Sequence, residues 1–176
     1  TAKAWKEMVH RYFAGTLGLL ILAICLLAWR PEFRKRQSPA LPTLLLVVVG
    51  LQAALGMWTV TLLLKPLIVT LHLLGGMTTL ALLIAMSIKE ALPAPAGGAG
   101  SKLRLLAAIA LLAVVAQIAL GGWVSTNYSA LACPDFPTCQ NSFWPTMDFK
   151  DAFVLWRGLG IDYEGGVLDH PARVAI

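Results

Sequence analysis

The sequence predicts an all-α, polytopic transmembrane bundle with four membrane-spanning helices, and three observations carry that prediction. The 176 residues are 58% hydrophobic and only 13% charged, with a mean hydropathy of +0.74. A water-soluble chain of this size has no interior large enough to hide so much apolar surface, so lipid must be part of its solvent. The apolar residues are gathered into four runs, each long enough to cross a hydrocarbon core that needs roughly 20 helical residues. None of the runs alternates with the period of two that marks a barrel strand.

The spans follow in order. The first runs from about Val9 to Trp29, and the second from about Leu41 to Leu64, opened by Pro39 and Pro42. Lys65-Pro66 breaks the chain before a third span from about Leu67 to Ile88. The Pro/Gly-rich stretch Pro93-Ala94-Pro95-Ala96-Gly97-Gly98 then links to a fourth span from about Leu103 to Trp123. This divides the chain into three spans over residues 1–90, a cytoplasmic linker over 91–102, a fourth span over 103–123 and a cysteine-bearing outer loop over 124–176. Within that loop, residues 141–169 are expected to be a partly ordered segment. No initiator methionine or signal-peptide pattern opens the chain, and Val174-Ala175-Ile176 reads as the start of another apolar segment. Both ends are therefore expected to continue into a longer protein.

Charge sets the orientation. The formal net charge of +5 is not a nucleic-acid footprint, because the basic residues are scattered through short loops between apolar runs. Arg30, Arg34, Lys35 and Arg36 follow the first span, and Lys89, Lys102 and Arg104 flank the third-to-fourth link, so these loops are expected on the cytoplasmic side. The turn between the second and third spans has only Lys65, and no basic residue follows the fourth span until Lys150. Lys3, Lys6 and Arg11 argue the opposite way for the N-terminus. Cys133 and Cys139 decide the matter. The loop Cys133-Pro-Asp-Phe-Pro-Thr-Cys139 is short and proline-stiffened, and no nearby histidine or third cysteine completes a metal site, which favours a disulfide. A disulfide persists in an oxidising compartment, so the first and third spans run inward and the second and fourth outward. Cys25, inside the first span, reads as a small apolar packing residue, and His170 as an ordinary exposed histidine.

One internal repeat is visible. Gln52-Ala-Ala-Leu-Gly-Met-Trp58 matches Gln117-Ile-Ala-Leu-Gly-Gly-Trp123 at five of its positions; the alternative is coincidence in an apolar background. As a repeat it has a physical sense. Each tryptophan would sit at the outer interface, each glycine would allow close packing, and each glutamine would seek a partner inside the bundle. The repeat also implies that a helix entering the membrane near Ala172 carries a histidine within two turns of its outer end.

Ionisable side chains inside a span are costly and mark functional candidates. His10 lies where the first span enters the membrane, and His72 lies about one and a half turns into the third. At 1.5 Å rise per residue the two depths agree within roughly 10 Å. Two imidazoles at similar depth on helices of the same direction can hold a planar macrocycle as axial ligands. The small residues Ala14, Gly18, Gly75, Gly76 and Thr79 on the adjoining faces leave room for a flat ring, though they serve helix packing equally well. A histidine that bonds only between helices is the alternative. Glu7, three residues before His10, is either a proton-handling carboxylate or a solvated interfacial charge. Arg11 divides similarly between a propionate partner and an interface anchor.

Taken together, Glu7-Met-Val-His10-Arg11, Thr70-Leu-His72 and Leu120-Gly-Gly-Trp123 leading into Ala132-Cys-Pro-Asp-Phe-Pro-Thr-Cys139 resemble the haem A synthase family of bacteria and mitochondria. The resemblance covers essentially the whole chain and is most specific in the Glu-x-x-His-Arg and cysteine-loop segments. It implies an eight-helix bundle of two similar four-helix halves, each with a histidine pair near the outer face and with cysteine pairs in outer loops. This chain would supply the second to fifth of those helices.

The resemblance also implies a chemistry, the oxidation of a methyl group of haem O to a formyl group, which makes haem A for a terminal oxidase. His10 and His72 would be iron ligands in the half that receives the substrate haem O, with Glu7 as the catalytic carboxylate and Arg11 toward a propionate or the interface. A haem b cofactor would take its ligands mainly beyond Ile176, so this stretch alone is expected to be inactive. The partners implied are the lipid bilayer, haem O, haem O synthase, an electron acceptor and a second copy of the chain, with no nucleic acid. The expected location is the bacterial inner membrane, with the cysteine loop periplasmic. Two rival readings stand beside this one: a non-enzymatic bis-histidine b-type cytochrome that passes electrons, and a helical membrane scaffold.

Overall fold

A computed structural model describes residues 2–35, 38–91, 97–98 and 100–176, with the backbone alone at 2, 3, 90 and 91. Arg36, the Lys3 side chain and the Pro93–Ala96 part of the link therefore lie outside the described residues. The elements are α1 (Ala2–Ala28), α2 (Pro31–Arg34), α3 (Ala40–Thr61), α4 (Pro66–Ala91), α5 (Ser101–Thr126), α6 (Phe149–Ala152) and α7 (His170–Ala175). Among the described residues there is no β-strand; the nearest approach is an isolated bridge between Cys139 and Ser142.

Four of these helices are long and apolar enough to cross a membrane: Ala4–Ala28, Ala40–Thr61, Pro66–Lys89 and Ser101–Thr126. Even the shortest, at 22 residues, is about 33 Å long at 1.5 Å per residue, against a hydrocarbon core of about 30 Å. In each span at most 17% of the most apolar window is buried inside the chain. Leu19, Leu20, Leu111 and Leu112 are all more than half exposed. Apolar surface of that extent is stable only in lipid or against other membrane helices. The chain is a multi-pass membrane protein.

The helix ends differ from the apolar runs in two informative places. Helix α1 begins at Ala2 rather than near Val9, because Ala, Lys, Glu and Met are strong helix formers and extend the helix through a polar turn. Helix α3 stops at Thr61, although Leu62, Leu63 and Leu64 are apolar. There the amide of Leu64 donates to the Thr59 carbonyl (2.9 Å) and that of Leu63 to Val60 (3.2 Å). These are the two bonds of a Schellman cap. Leu63 and Leu64 take φ of 52° and 61°, a left-handed conformation usually left to glycine.

The described chain falls into two compact units: Thr1–Ala53 with Met77–Ala94, and Ala54–Gly76 with Pro95–Ile176. In the first, Ile21, Cys25 and Leu45 are buried. The Trp29 indole donates to Thr43 Oγ1 (3.0 Å), which in turn donates to the Pro39 carbonyl (2.8 Å). Cys25 is a free, buried thiol 3.8 Å from the same hydroxyl, a packing role as its position in the span suggested. Arg34, at the end of α2, lies over the Trp29 ring at 5.2 Å. Pro31 starts α2, its fixed φ suiting the first helical position.

The second unit holds the α3–α4 turn, α5 and the ordered loop that follows. Ala152, Leu168, Ala172 and Ala175 form its small core, with Met147 and Ile176 packed against it. Asp148 and Asp169 cap α6 and α7 by accepting the amides of Asp151 (3.0 Å) and Ala172 (3.1 Å). Within residues 141–169, Met147, Ala152 and Leu168 pack with Ala172 and Ala175 of α7.

Candidate functional site

Glu7, His10 and Arg11 all lie on exposed surface of α1. Arg11 Nη2 donates to Glu7 Oε1 at 2.6 Å, with both side chains about half exposed (55% and 51%). The carboxylate precedes the base by four residues, the favourable order for such a pair on a helix. Being open to solvent, the pair contributes no more than about 0.5 kcal/mol to stability. Its effect is on geometry, since it holds the carboxylate on the α1 surface one turn before His10.

His72 belongs to the other unit and is half-buried. The α3–α4 turn brings it against Gly56, whose missing Cβ would stand 3.2 Å from His72 Cε1, 3.7 Å from Nε2 and 3.8 Å from Nδ1. The Gly56 carbonyl accepts the Thr59 hydroxyl at 2.7 Å. Another side of α4 meets α5. A Cβ at Gly122 would lie 3.1 Å from Leu73 and 3.3 Å from Thr70. At 3.6 residues per turn, His72 lies about 130° around α4 from the Thr70/Leu73 edge, so the two contacts use separate faces.

The two copies of the Gln-x-x-Leu-Gly-x-Trp pattern are used differently. Gly56 packs on an imidazole, whereas its counterpart Gly121 has no atom near its Cβ position and the neighbouring Gly122 makes the contact. Trp58 is 43% exposed, but Trp123 is only 7% exposed and donates its indole N–H to the Ala152 carbonyl at 3.0 Å. The loop after α5 has covered the second tryptophan. Gln52 is half-buried and Gln117 exposed.

That loop is strapped to the α3–α4 turn by residues that sequence reasoning passed over. Lys65 is 3% exposed; its ammonium donates to the Arg157 carbonyl at 3.0 Å and sits 3.6 Å from the centre of the Trp156 ring. Arg157 pairs with Asp151 at 2.9 Å. The Tyr163 amide donates to the Leu63 carbonyl at 3.2 Å, and its ring is buried; that burial pushes the phenol up from its ordinary pKa. Gly166, at φ +81° and with a Cβ position 3.1 Å from the Asn127 carbonyl, lets the loop turn back against the end of α5. Lys65→Met is expected to weaken this strap by about 2 kcal/mol, the worth of a desolvated cation–π contact and a charged hydrogen bond less the relief of burying an ammonium. Hydrogen exchange of the Tyr163 amide should accelerate by roughly 30-fold. An unchanged rate would show that other contacts hold the strap.

Cys133 and Cys139 are disulfide-bonded, as the short loop between them suggested. Asp135 organises that loop. Its carboxylate accepts the Thr138 hydroxyl and the amides of Gln140 (2.7 Å) and Asn141 (2.9 Å). These bonds, the Thr138 hydroxyl first, hold its pKa below the usual carboxylate value. Gln140 reaches on to the exposed His170 ring, with Nε2 to Nε2 at 2.6 Å.

Among the described residues no group of three or more His, Cys, Asp or Glu side chains is placed to hold a bare metal ion. The residues that suit a haem are single imidazoles carried by separate helices, the ligand type that haem iron takes. His72 fits that role because its ring stands in a cradle that a Cβ at Gly56 would fill. His10 fits because it is exposed on α1 beside an arginine–carboxylate pair.

Comparison with known proteins gives a consistent pattern. A family profile described as COX15-CtaA, cytochrome oxidase assembly protein, matches residues 1–171. The heme A synthase of Shewanella oneidensis is 40% identical over 178 residues, which cover 99% of this chain and 52% of that protein. The heme A synthase of Bacillus licheniformis is 30% identical over 82% of this chain and 50% of its own length. That of Halalkalibacterium halodurans is 27% identical over 80% and 49%. The chain thus spans about half the length of the curated relatives it matches. No solved structure matches it.

Proposed function

The chain belongs to the COX15-CtaA family of cytochrome oxidase assembly proteins, and from that premise we propose that the whole protein is a haem A synthase, which oxidises a methyl group of haem O to a formyl group. The observation that carries this reading is the 40% identity to a heme A synthase across 99% of the chain. In this proposal His10 and His72 hold the iron of the substrate haem O. A haem b cofactor would take its ligands mainly beyond Ile176. When bound, haem supplies the iron-centred redox chemistry, and an external electron acceptor removes the electrons.

The residues of this chain bind and orient. The imidazole of His72 is held in one place by α3, so an iron bound to it is fixed in position relative to the protein. Arg11 offers a guanidinium to a propionate, and Glu7, held by Arg11, offers a carboxylate that takes or gives a proton near the reacting group. The Lys65 strap fixes the α3–α4 turn, seven residues before His72 in α4.

The same proposal puts the protein in the bacterial inner membrane, with the disulfide loop on the periplasmic side. A bonded cysteine pair supports that side, because disulfides persist under oxidising conditions. Haem O synthase as the source of substrate, and a second copy of the chain as a neighbour, belong to the proposal as well. The decisive experiment extracts the pigments of cells that make haem O together with the intact protein. Haem A in the extract is the expected result. Bound haem without haem A would leave a bis-histidine electron carrier in its place, and thiol labelling of intact cells after reduction checks the side of the loop.

A further inference from the structure

We infer that Gly56 is a positioning residue for the iron ligand His72: its missing side chain is a seat that sets the rotation of the imidazole. The inference rests on the proposed role of His72 as a ligand. Its basis is that the three atoms nearest the Cβ position of Gly56 all belong to the His72 ring, at 3.2, 3.7 and 3.8 Å. Cε1 is closest and both nitrogens stand further off, so the ring meets α3 by its Cε1 edge and neither nitrogen is aimed at the Gly56 backbone. An imidazole held this way presents its nitrogens along the surface of α3.

A methyl group at position 56 would press on the ring. Ordinary van der Waals contact begins at 3.4 Å, and at 3.2 Å the ring has to give by a few tenths of an ångström. The ring is rigid, and its softest response is to turn about its two side-chain torsions, which re-aims the nitrogen that would meet the iron. Gly122 makes an equally close contact, but with Leu73 and Thr70 as packing between α4 and α5, whereas the three atoms nearest the Cβ position of Gly56 all belong to one imidazole. Gly50 on the same helix has no atom within 4 Å of its Cβ position, and Gly121, the counterpart of Gly56 in the repeat, has none either. Gly56 is set apart from both by the imidazole.

The test uses the purified intact protein titrated with hemin. It is read by the Soret band and by electron paramagnetic resonance of the ferric complex, following the low-spin component that His72→Ala removes. Gly56→Ala is expected to weaken hemin binding at this site roughly tenfold, as loss of a group that orients a metal ligand does, and to shift the low-spin g values. Gly50→Ala should change neither. In a His72→Met background, where a flexible thioether replaces the flat ring, Gly56→Ala should have no further effect.

Wild-type affinity and g values in Gly56→Ala would overturn the seat, as would an equal loss in the His72→Met background. An unaltered spectrum in His72→Ala is the separate result that removes the ligand assignment beneath it. If Gly56→Ala does not accumulate in membranes, the Gly56→Ala/His72→Ala double variant decides. Recovery of folded protein supports a clash with the ring, and continued loss overturns it.

Discussion

His72→Ala in the intact protein is expected to abolish haem binding at the site proposed for haem O. Axial imidazole ligation contributes the main directional bond between protein and macrocycle, and a methyl side chain offers the iron nothing in return. The cradle makes the loss complete. His72 is the group nearest the space over Gly56, so its removal leaves a gap on α3 and only His10 of the proposed pair to hold the iron. His72→Met should keep part of the binding with a changed reduction potential, because a thioether is a weaker, softer ligand. Optical spectra of the two variants, together with haem O conversion, check this. Unchanged spectra and conversion in His72→Ala would remove His72 from the site.

Glu7→Gln is expected to retain bound haem and slow turnover by roughly a hundredfold, the usual worth of a positioned acid or base. The amide is nearly isosteric and still accepts a hydrogen bond, so Arg11 keeps a partner across the same helix turn. Proton transfer is what is lost. Stability should barely change, because an exposed pair of this kind contributes so little. Single-turnover conversion of haem O separates the two effects, and full activity in Glu7→Gln would return the residue to a solvated surface charge.

The membrane-spanning architecture was legible because it depends on local composition. Four apolar runs became four spans. The places where reading failed are those where a local signal was overruled. Leu62 to Leu64 look helical by hydropathy, yet the chain turns there because the Schellman bonds to Thr59 and Val60 end the helix first. Hydropathy places the start of α1 near Val9, whereas residues from Lys3 to Glu7 extend the helix by propensity. Within the site, His72 stood out because an imidazole in a span is unusual. Its seat did not, since the repeat drew equal attention to Gly56 and Gly121 and only the fold distinguishes them. The role of Lys65 was not legible at all. Read alone, it is a weak orientation signal. Its carbonyl partner on Arg157 is 92 residues away in sequence, and no pattern near either residue announces the other.

That separation has a consequence for how the protein is made. At about 5–20 residues per second, the ribosome reaches Arg157 roughly 5–18 s after Lys65, across the 92 residues between them. During that interval the α3–α4 hairpin exists without its strap. The Lys65 ammonium then has no carbonyl and no indole ring to receive it, so it stays hydrated and keeps the turn out of the hydrocarbon core. The same charge that is buried at the end of biogenesis therefore serves first as a float for the hairpin. Its burial marks the moment when α5 and the loop after it have arrived, which makes closure of the strap a late step in assembly.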